Sequence, residues 1–255
     1  MKTLTKVVLL TFSLYTVQLF TYPCKAGMPQ SRKEARAQYV TPDNLPDMRE
    51  FQKKWYFGAQ GGISYRVGAN PEGLSAVAED YLDKLRLGLQ IGAEAAYFPK
   101  ARMFGYGIKY SYFRSSNSGE FYITDDQGNS RLANISDQIE MHFGGPAFFV
   151  RFTSKKNLNA IILSGSLGVM TYKQKSHYFE DFTLSGVTAG ICVTGGYDIA
   201  TSDQSAISIQ LAILSGFLDE IKEKRGSQTR TITLAEDEYE SLARIELSVG
   251  FRFMK

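Results

Sequence analysis

The chain has 255 residues, with 29 lysines and arginines against 26 acidic residues and a formal charge of +3. This length suits one large domain, and the near balance of charge argues against a nucleic-acid-binding protein. No stretch reaches the roughly 18 apolar residues of a membrane-spanning helix.

The N-terminus has the features of a secretory signal peptide, predicted over residues 1–26. Two lysines precede the apolar run Val7–Phe20, and Cys24-Lys25-Ala26 offers a small-residue cleavage site. Cleavage there would leave Cys192 as the one cysteine, so no internal disulfide is expected. Lipid modification of Cys24 is the disfavoured alternative, because Pro23 stands where lipoprotein signals need a small residue.

Residues 27–53 are polar and charged, include three prolines, and follow no sustained period. This composition predicts a periplasmic N-terminal segment that acts as a solvated linker. A plug or a partner-binding peptide is the alternative for the same segment.

From residue 54 onward, eight stretches alternate apolar residues with small or polar ones, which is the signal of half-buried strands. The predicted strands are Lys54–Val67, Leu85–Phe98, Phe104–Arg114, Ile139–Phe152, Asn159–Tyr172, Leu184–Tyr197, Ser205–Phe217 and Ser241–Met254. The long links are Gly68–Lys84, Ser115–Gln138, Lys173–Thr183 and Leu218–Glu240, and they alternate with the short links Pro99–Met103, Thr153–Leu158 and Asp198–Gln204. An even strand number with short turns at one end predicts an all-β fold, an eight-stranded antiparallel up-and-down transmembrane β-barrel over residues 54–255.

The fourth strand departs from a simple alternation. Ile139, Met141 and Phe143 form its apolar face at first, but Phe148 and Phe152 follow the opposite parity. A bulge at Gly144-Gly145-Pro146 would absorb this slip, since proline cannot donate to the ladder.

The alternation alone leaves open whether the apolar face points outward to lipid or inward, as in a secreted lipocalin. The polar face is rich in small residues with few charges, which suits a narrow barrel interior. Aromatic residues gather near strand ends, which is typical of the two interfacial girdles of a membrane barrel. We therefore predict that the apolar face points outward. The predicted aromatic girdle consists of Trp55, Phe57, Tyr97, Phe104, Tyr112, Tyr172, Tyr197, Phe217, Phe251 and Phe253.

Three segments resemble a known family. The opening strand 55–62 (WYFGAQGG), the segment 145–149 (GPAFF) and the closing 250–253 (GFRF) are similar to the outer-membrane β-barrel domain family common in Bacteroidetes-type bacteria, the PorT-like porin-family barrels. The resemblance covers about Lys54–Lys255 and implies an outer-membrane barrel. Some relatives are associated with protein secretion, but no residue of this chain carries that role over.

Polar residues on the predicted inner face are expected to form a salt-bridge network, because buried charges must be paired. These lumen residues are Arg66, Arg86, Glu94, Lys109, Glu140, His142, Gln210, Arg244, Glu246 and Arg252. The three glutamates are expected to pair with Arg86, Lys109, Arg244 or Arg252. A narrow proton or ion path is the functional alternative.

Candidate catalytic and metal-binding features are weak. His177 lies near Ser176, Glu180 and Asp181 in a predicted outer loop, where a lipid-modifying enzyme would meet its substrate. The run Thr124–Asn129 lacks the ligand spacing of a calcium loop and predicts a turn. No HExxH, CxxC or glycine-rich phosphate loop appears.

These features predict a non-enzymatic integral protein of the bacterial outer membrane with periplasmic termini. No catalytic, metal or cofactor site is expected. Its role would be structural, or recognition of an extracellular ligand through four outer loops. The expected partners are outer-membrane lipids and the barrel-assembly machinery. The alternatives are a lipid-modifying enzyme, a narrow solute pore and a secretion-associated barrel.

Overall fold

The computed structural model describes residues 53–68, 75–99, 103–124, 130–154, 158–178, 180–235 and 239–255. The predicted signal peptide, nearly all of the periplasmic segment 27–53, and most of the turn Thr124–Asn129 lie outside the described residues.

Strands dominate the described chain. They are β1 (Trp55–Arg66), β2 (Leu87–Tyr97), β3 (Phe104–Thr124), β4 (Ser130–Thr153), β5 (Ala160–His177), β6 (Asp181–Ser202), β7 (Ser205–Leu218), β8 (Glu220–Arg225), β9 (Gln228–Thr233), β10 (Glu240–Ser241) and β11 (Arg244–Met254). One helix, α1 (Ala76–Arg86), begins after Ser75, whose hydroxyl accepts a hydrogen bond from the Ala78 amide. No helix among the described residues is long and apolar enough to cross a membrane.

The strands β1 to β7 pair in chain order, and β11 closes the ring between β7 and β1, with every pair antiparallel. This confirms the predicted eight-stranded barrel. Following directly opposed residues from Ser185 of β6 through every strand of the ring leads back to β6 at Gly195, ten residues along. A barrel of eight strands with this shear has an interior just wide enough for side chains.

The two ends of the barrel differ. At the end that carries Trp55 and Lys255, which we call the terminal end, β6 and β7 are joined by the two residues 203–204. At the opposite, loop end, β3 to β6 continue well beyond the other strands. The predicted long links 115–138 and 173–183 are therefore mostly strand. The link 218–240 contains the hairpin β8–β9, whose strand β8 pairs with the loop-end part of β6. The prediction that strand 2 begins at Leu85 was wrong, because α1 continues to Arg86.

The predicted bulge in the fourth strand is absent. The register of β4 with β3 is continuous, and that of β4 with β5 keeps the same offset on both sides of Gly145 and Pro146. Met141, Phe143, Phe149 and Arg151 therefore all point inward. Gly145 allows a close approach of the two strands instead. A Cβ on Gly145 would lie 2.1 Å from the Leu167 carbonyl oxygen.

The apolar side chains of the barrel wall point outward, as predicted. Leu89, Leu167 and Val187 are 70, 68 and 67% exposed, while the alternate residues of the same strands are buried. A lipocalin-like arrangement has the opposite orientation. A continuous outward apolar belt on a closed ring is the arrangement that lets strands cross a membrane with every backbone group paired.

The interior is filled in three layers. An apolar cluster at the terminal end contains Tyr56, Phe98 and Phe149. A polar layer follows, and a larger apolar cluster closes the loop end. Leu85 of α1 is buried in this second cluster together with Phe143 of β4, so the helix covers the mouth of the barrel.

Candidate functional site

The polar layer is centred on Glu94 of β2, which is 5% exposed. Its Oε1 accepts hydrogen bonds from the Tyr56 hydroxyl at 2.5 Å, from Arg252 Nη2 at 2.7 Å and from Gln210 Nε2 at 3.2 Å. Its Oε2 lies 3.4 Å from Lys109 Nζ. Four different strands thus converge on one carboxylate, which a closed ring of alternating residues makes possible.

Two further carboxylates complete the layer. Asp198 of β6 pairs with Arg252 Nη1, so this arginine bridges two acids. Glu246 accepts from Arg244 Nε at 2.8 Å and from the Ser111 hydroxyl at 2.8 Å. Each of these three carboxylates has a cation in contact, which is what burial of ions requires.

The guanidinium groups also rest on aromatic rings. Arg252 lies 4.9 Å from the Tyr56 ring centroid, and Arg151 lies 4.5 Å from that of Phe98. Such contacts add attraction at desolvated sites. Together with the ion pairs they fix the side chains that span the barrel, an arrangement suited to holding the wall together rather than to turnover.

The structure places six of the predicted lumen residues inside the barrel: Glu94, Lys109, Gln210, Arg244, Glu246 and Arg252. Arg66 also points inward but lies near the loop end. There its Nη2 pairs at 2.6 Å with Glu240, which is not one of the three expected glutamates.

Three predicted lumen residues lie elsewhere. Glu140 and His142 point outward, because β4 keeps one parity and its upper inner face is apolar. Arg86 belongs to α1, where its Nε lies 3.4 Å from Asp83. Among the predicted carboxylates, therefore, Glu94 and Glu246 join the network and Glu140 does not.

Sequence reasoning missed three members of the interior. Asp198 was assigned to a short link, although β6 continues through it to Ser202. The sequence patterns predict no role for Tyr56 or for Arg151. Arg151 alternates with the outward Phe148 and Phe152, and this parity was the available signal that Arg151 points inward.

Most of the predicted girdle points outward. Trp55, Phe57, Phe104, Tyr197, Phe217, Phe251 and Phe253 are exposed, and Tyr97 and Tyr112 are half-buried. Tyr172 was wrongly included. It is buried inside the barrel and its hydroxyl bonds Gln174, as its parity with Ser164 and Ser166 would have indicated.

A second polar cluster lies inside the loop end, around the buried Asp137 of β4. This carboxylate accepts from the Tyr81 hydroxyl at 2.9 Å, from Gln174 Nε2 at 3.0 Å and from the Ser176 hydroxyl. Tyr81 also donates to the Asn117 carbonyl oxygen at 3.2 Å. Burial, followed by the bond to Asp137 and its charge, raises the pKa of Tyr81. This cluster fastens α1 to the extended wall.

The structure does not build a catalytic group from Ser176 and His177. These neighbours point to opposite faces of β5, and the Ser176 hydroxyl is bonded to Asp137. His177 Nδ1 lies 2.6 Å from Asp181 Oδ1. No group of three or more metal-ligating side chains is found in the part of the chain that the structure describes.

These features define a membrane-spanning β-barrel with a filled interior. No protein-family model matches the sequence, and no curated protein matches it. Among solved structures, the chain is similar to Neisserial surface protein A (11% identity, TM-score 0.43), covering 79% of this chain and 97% of that one. It is also similar to a major outer membrane protein from Thermus thermophilus (9%, TM-score 0.47, 79 and 99%) and to the outer membrane protease OmpT from Escherichia coli (7%, TM-score 0.41, 83 and 98%). The fold assignment itself follows from the strand pairing of this chain.

Proposed function

We propose that the chain is an integral protein of a bacterial outer membrane whose closed barrel holds a recognition surface at its loop end. The filled interior is the observation that carries this proposal. In this placement the terminal end is periplasmic, and α1, the extended wall and the β8–β9 hairpin are extracellular. The three short segments similar to PorT-like porin-family barrels support an origin in Bacteroidetes-type bacteria.

The barrel does not conduct solutes in this proposal. Glu94, Asp198 and Glu246 are occupied by the side chains that neutralise them, and apolar clusters lie on both sides of this layer. An ion entering from either end would have to pass an apolar cluster to reach this layer, which is energetically costly. Contacts with an extracellular ligand would therefore come from the outer elements.

The test is planar-bilayer conductance of the folded protein, with migration on SDS gels before and after boiling as the check of folding. We expect a faster band before boiling and a silent bilayer. Reproducible single-channel openings would reject the closed barrel. A soluble protein without a gel shift would reject the membrane placement.

A second candidate, an outer-membrane hydrolase, is favoured by one row of side chains. Ser136 lies directly opposite His177, which lies opposite Asp181, and all three line an outer groove of about 620 Å³. Within the described residues no hydrogen bond joins Ser136 to His177. Ester or phospholipid turnover that is lost in both Ser136→Ala and His177→Ala would establish this candidate, and turnover that is absent, or unchanged in both variants, would reject it.

A further inference from the structure

An open groove of about 630 Å³ runs along the outward face of β1 to β4. The groove is shallowly lined by Ala93, Ala95 and Gly144, and Phe57 and Tyr110 lie beside these small residues. Ala93 lies opposite Tyr110, which lies opposite Gly144, so the groove crosses three adjacent strands. It lies within the apolar belt, where the surrounding medium is lipid.

Toward the loop end the groove is followed by a polar aromatic ledge. The Tyr110 hydroxyl lies 2.8 Å from His142 Nδ1, and the His142 ring centroid lies 4.9 Å from that of Tyr112. Side chains with an apolar body and a polar tip are characteristic of the level where the hydrocarbon meets the headgroups.

One row beyond the ledge the outward face becomes basic. Arg114 and Lys173 stand on either side of Glu140, and Lys175 follows in the next row, opposite Gln138. The three cations are exposed and outnumber the one carboxylate. Glu140 accepts from Gln138 Nε2 at 2.7 Å. Three cations against this one carboxylate give the face a net positive charge.

The spacing of these features matches one lipid molecule. Glu140 lies four positions from Gly144 along β4, which is roughly 13 Å at the usual strand rise. An acyl chain lying in the groove would therefore bring its ester region to the ledge and its headgroup to the basic row. The positive charge of that row is complementary to a phosphate and favours a headgroup with net negative charge over a zwitterionic one.

We propose that this face binds one anionic, phosphate-bearing membrane lipid, with an acyl chain in the groove and its phosphate against Arg114 and Lys173. The proposal rests on the membrane placement proposed above. It makes this side of the wall a lipid-specific surface.

The headgroup half is tested with the full chain folded in mixed micelles that contain equal phosphatidylglycerol and phosphatidylcholine. Native mass spectrometry measures the lipid retained per protein. The double variant Arg114→Gln/Lys173→Gln is expected to lose roughly tenfold in its preference for phosphatidylglycerol, because cations at this level attract anionic headgroups. Lys222→Gln/Lys224→Gln, which removes two exposed cations from β8, is the matched control and is expected to keep the preference.

Binding of the acyl chain in the groove is tested with a matched pair of glycine substitutions. A Cβ on Gly144 would meet nothing nearer than Tyr110 Cδ2 at 3.9 Å, and one on Gly165 would meet nothing within 4 Å. Gly144→Leu should lower retention of both lipids by filling the groove, whereas Gly165→Leu should not.

The proposal requires both losses, and it is overturned if either variant retains lipid as its control does. Gel migration of the same samples before and after boiling distinguishes this outcome from a wrong membrane placement. If the membrane placement were wrong, the unaltered chain would also lack the heat-dependent shift.

Discussion

Two carboxylates inside the barrel, Glu94 and Asp137, are buried to the same degree but are stabilised differently. Glu94 is 5% exposed and is bound by Arg252 and Lys109, whereas Asp137 is 3% exposed and its hydrogen bonds come from neutral groups such as Tyr81. In the membrane-spanning part, the cost of desolvating a charge is offset by opposite charges. Beyond the membrane-spanning part, where α1 meets the extended wall, neutral hydrogen-bond donors around Asp137 offset this cost.

The difference implies different consequences of disruption. Losing a cation from the polar layer leaves uncompensated buried charge, and the wall itself is weakened. Losing a donor from the Asp137 cluster removes one hydrogen bond and loosens the attachment of α1. The interior at membrane level is therefore expected to act as scaffold, and the loop end as the adaptable part.

The largest effect is expected from Arg252→Met. This change leaves both Glu94 and Asp198 without their bridging cation, and breaking a buried ion pair in this way costs about 3–5 kcal/mol. Unfolding by denaturant from lipid vesicles, followed by the fluorescence of Trp55, the single tryptophan, measures the loss. Asp198→Asn leaves Arg252 paired with Glu94 and removes no other ion pair of the layer, so an equal or larger loss in that variant would contradict the assigned bridge.

The second prediction compares one glycine in each region. A Cβ on Gly145 would lie 2.1 Å from the Leu167 carbonyl oxygen, whereas a Cβ on Gly119 would meet the Phe121 ring at 3.0 Å. Since a backbone atom cannot move aside as a side chain can, Gly145→Ala should lose roughly 2–3 kcal/mol of unfolding free energy. Gly119→Ala should lose clearly less. Equal losses would show that the two regions do not differ in rigidity.

The third prediction concerns the attachment of α1. Tyr81→Phe removes the hydroxyl that bonds Asp137 and the Asn117 carbonyl, at an expected cost of about 1–2 kcal/mol. Hydrogen exchange of the α1 amides should speed up while that of β2 and β11 stays unchanged. Uniform acceleration across the barrel would contradict a local role.

The pH dependence of that attachment follows from the raised pKa of Tyr81. The folded state holds the phenolic proton more tightly than the unfolded state, so its stabilisation is complete below the normal tyrosine pKa of about 10 and is lost as the pH rises above it. Tyr81→Phe should abolish this alkaline loosening of α1, and an unchanged profile would assign it to another group.

The smallest effect is expected at the β8–β9 hairpin. A hydrogen bond from Arg230 lowers the pKa of Glu223, so the stabilisation is present at neutral pH and is lost as the pH falls below about 4. Hydrogen exchange of the β8 amides in acid measures this loss. In Glu223→Gln the additional acid sensitivity should disappear.

The fold was predictable because its main signal is local. In β2, β7 and β11 the alternation is unbroken, and the membrane requires a closed ring once the apolar face is assigned to lipid. The errors arose where one strand passes between environments. Along β4 the inner face changes from Arg151 to the apolar Met141, and the outer face changes from Phe148 to Glu140. A rule that assigns polar residues to the interior inverts the upper part of such a strand.

The polar layer was predictable in part for a similar reason. Parity identifies which residues point inward, as it did for Glu94 and Arg252, but their pairing depends on strand tilt and shear. The bridge from Arg252 to Asp198 joins residues 54 apart in sequence. The alternation of the strands also gives no signal for α1. The contacts that Tyr81 and Leu85 of this helix make depend on how far the surrounding strands extend beyond the membrane-spanning part.

Labelling of the native chain from within the membrane shows whether the apolar face meets lipid while the interior is filled with protein. The folded protein would be irradiated in vesicles that contain a lipid with a photoreactive diazirine on its acyl chain, and the modified residues of β7 identified by mass spectrometry. We expect modification of Ile209 and Leu211, which point outward, and none of Gln210, which is buried. Modification of Gln210 but not of its neighbours, or equal modification of all three, would contradict this orientation.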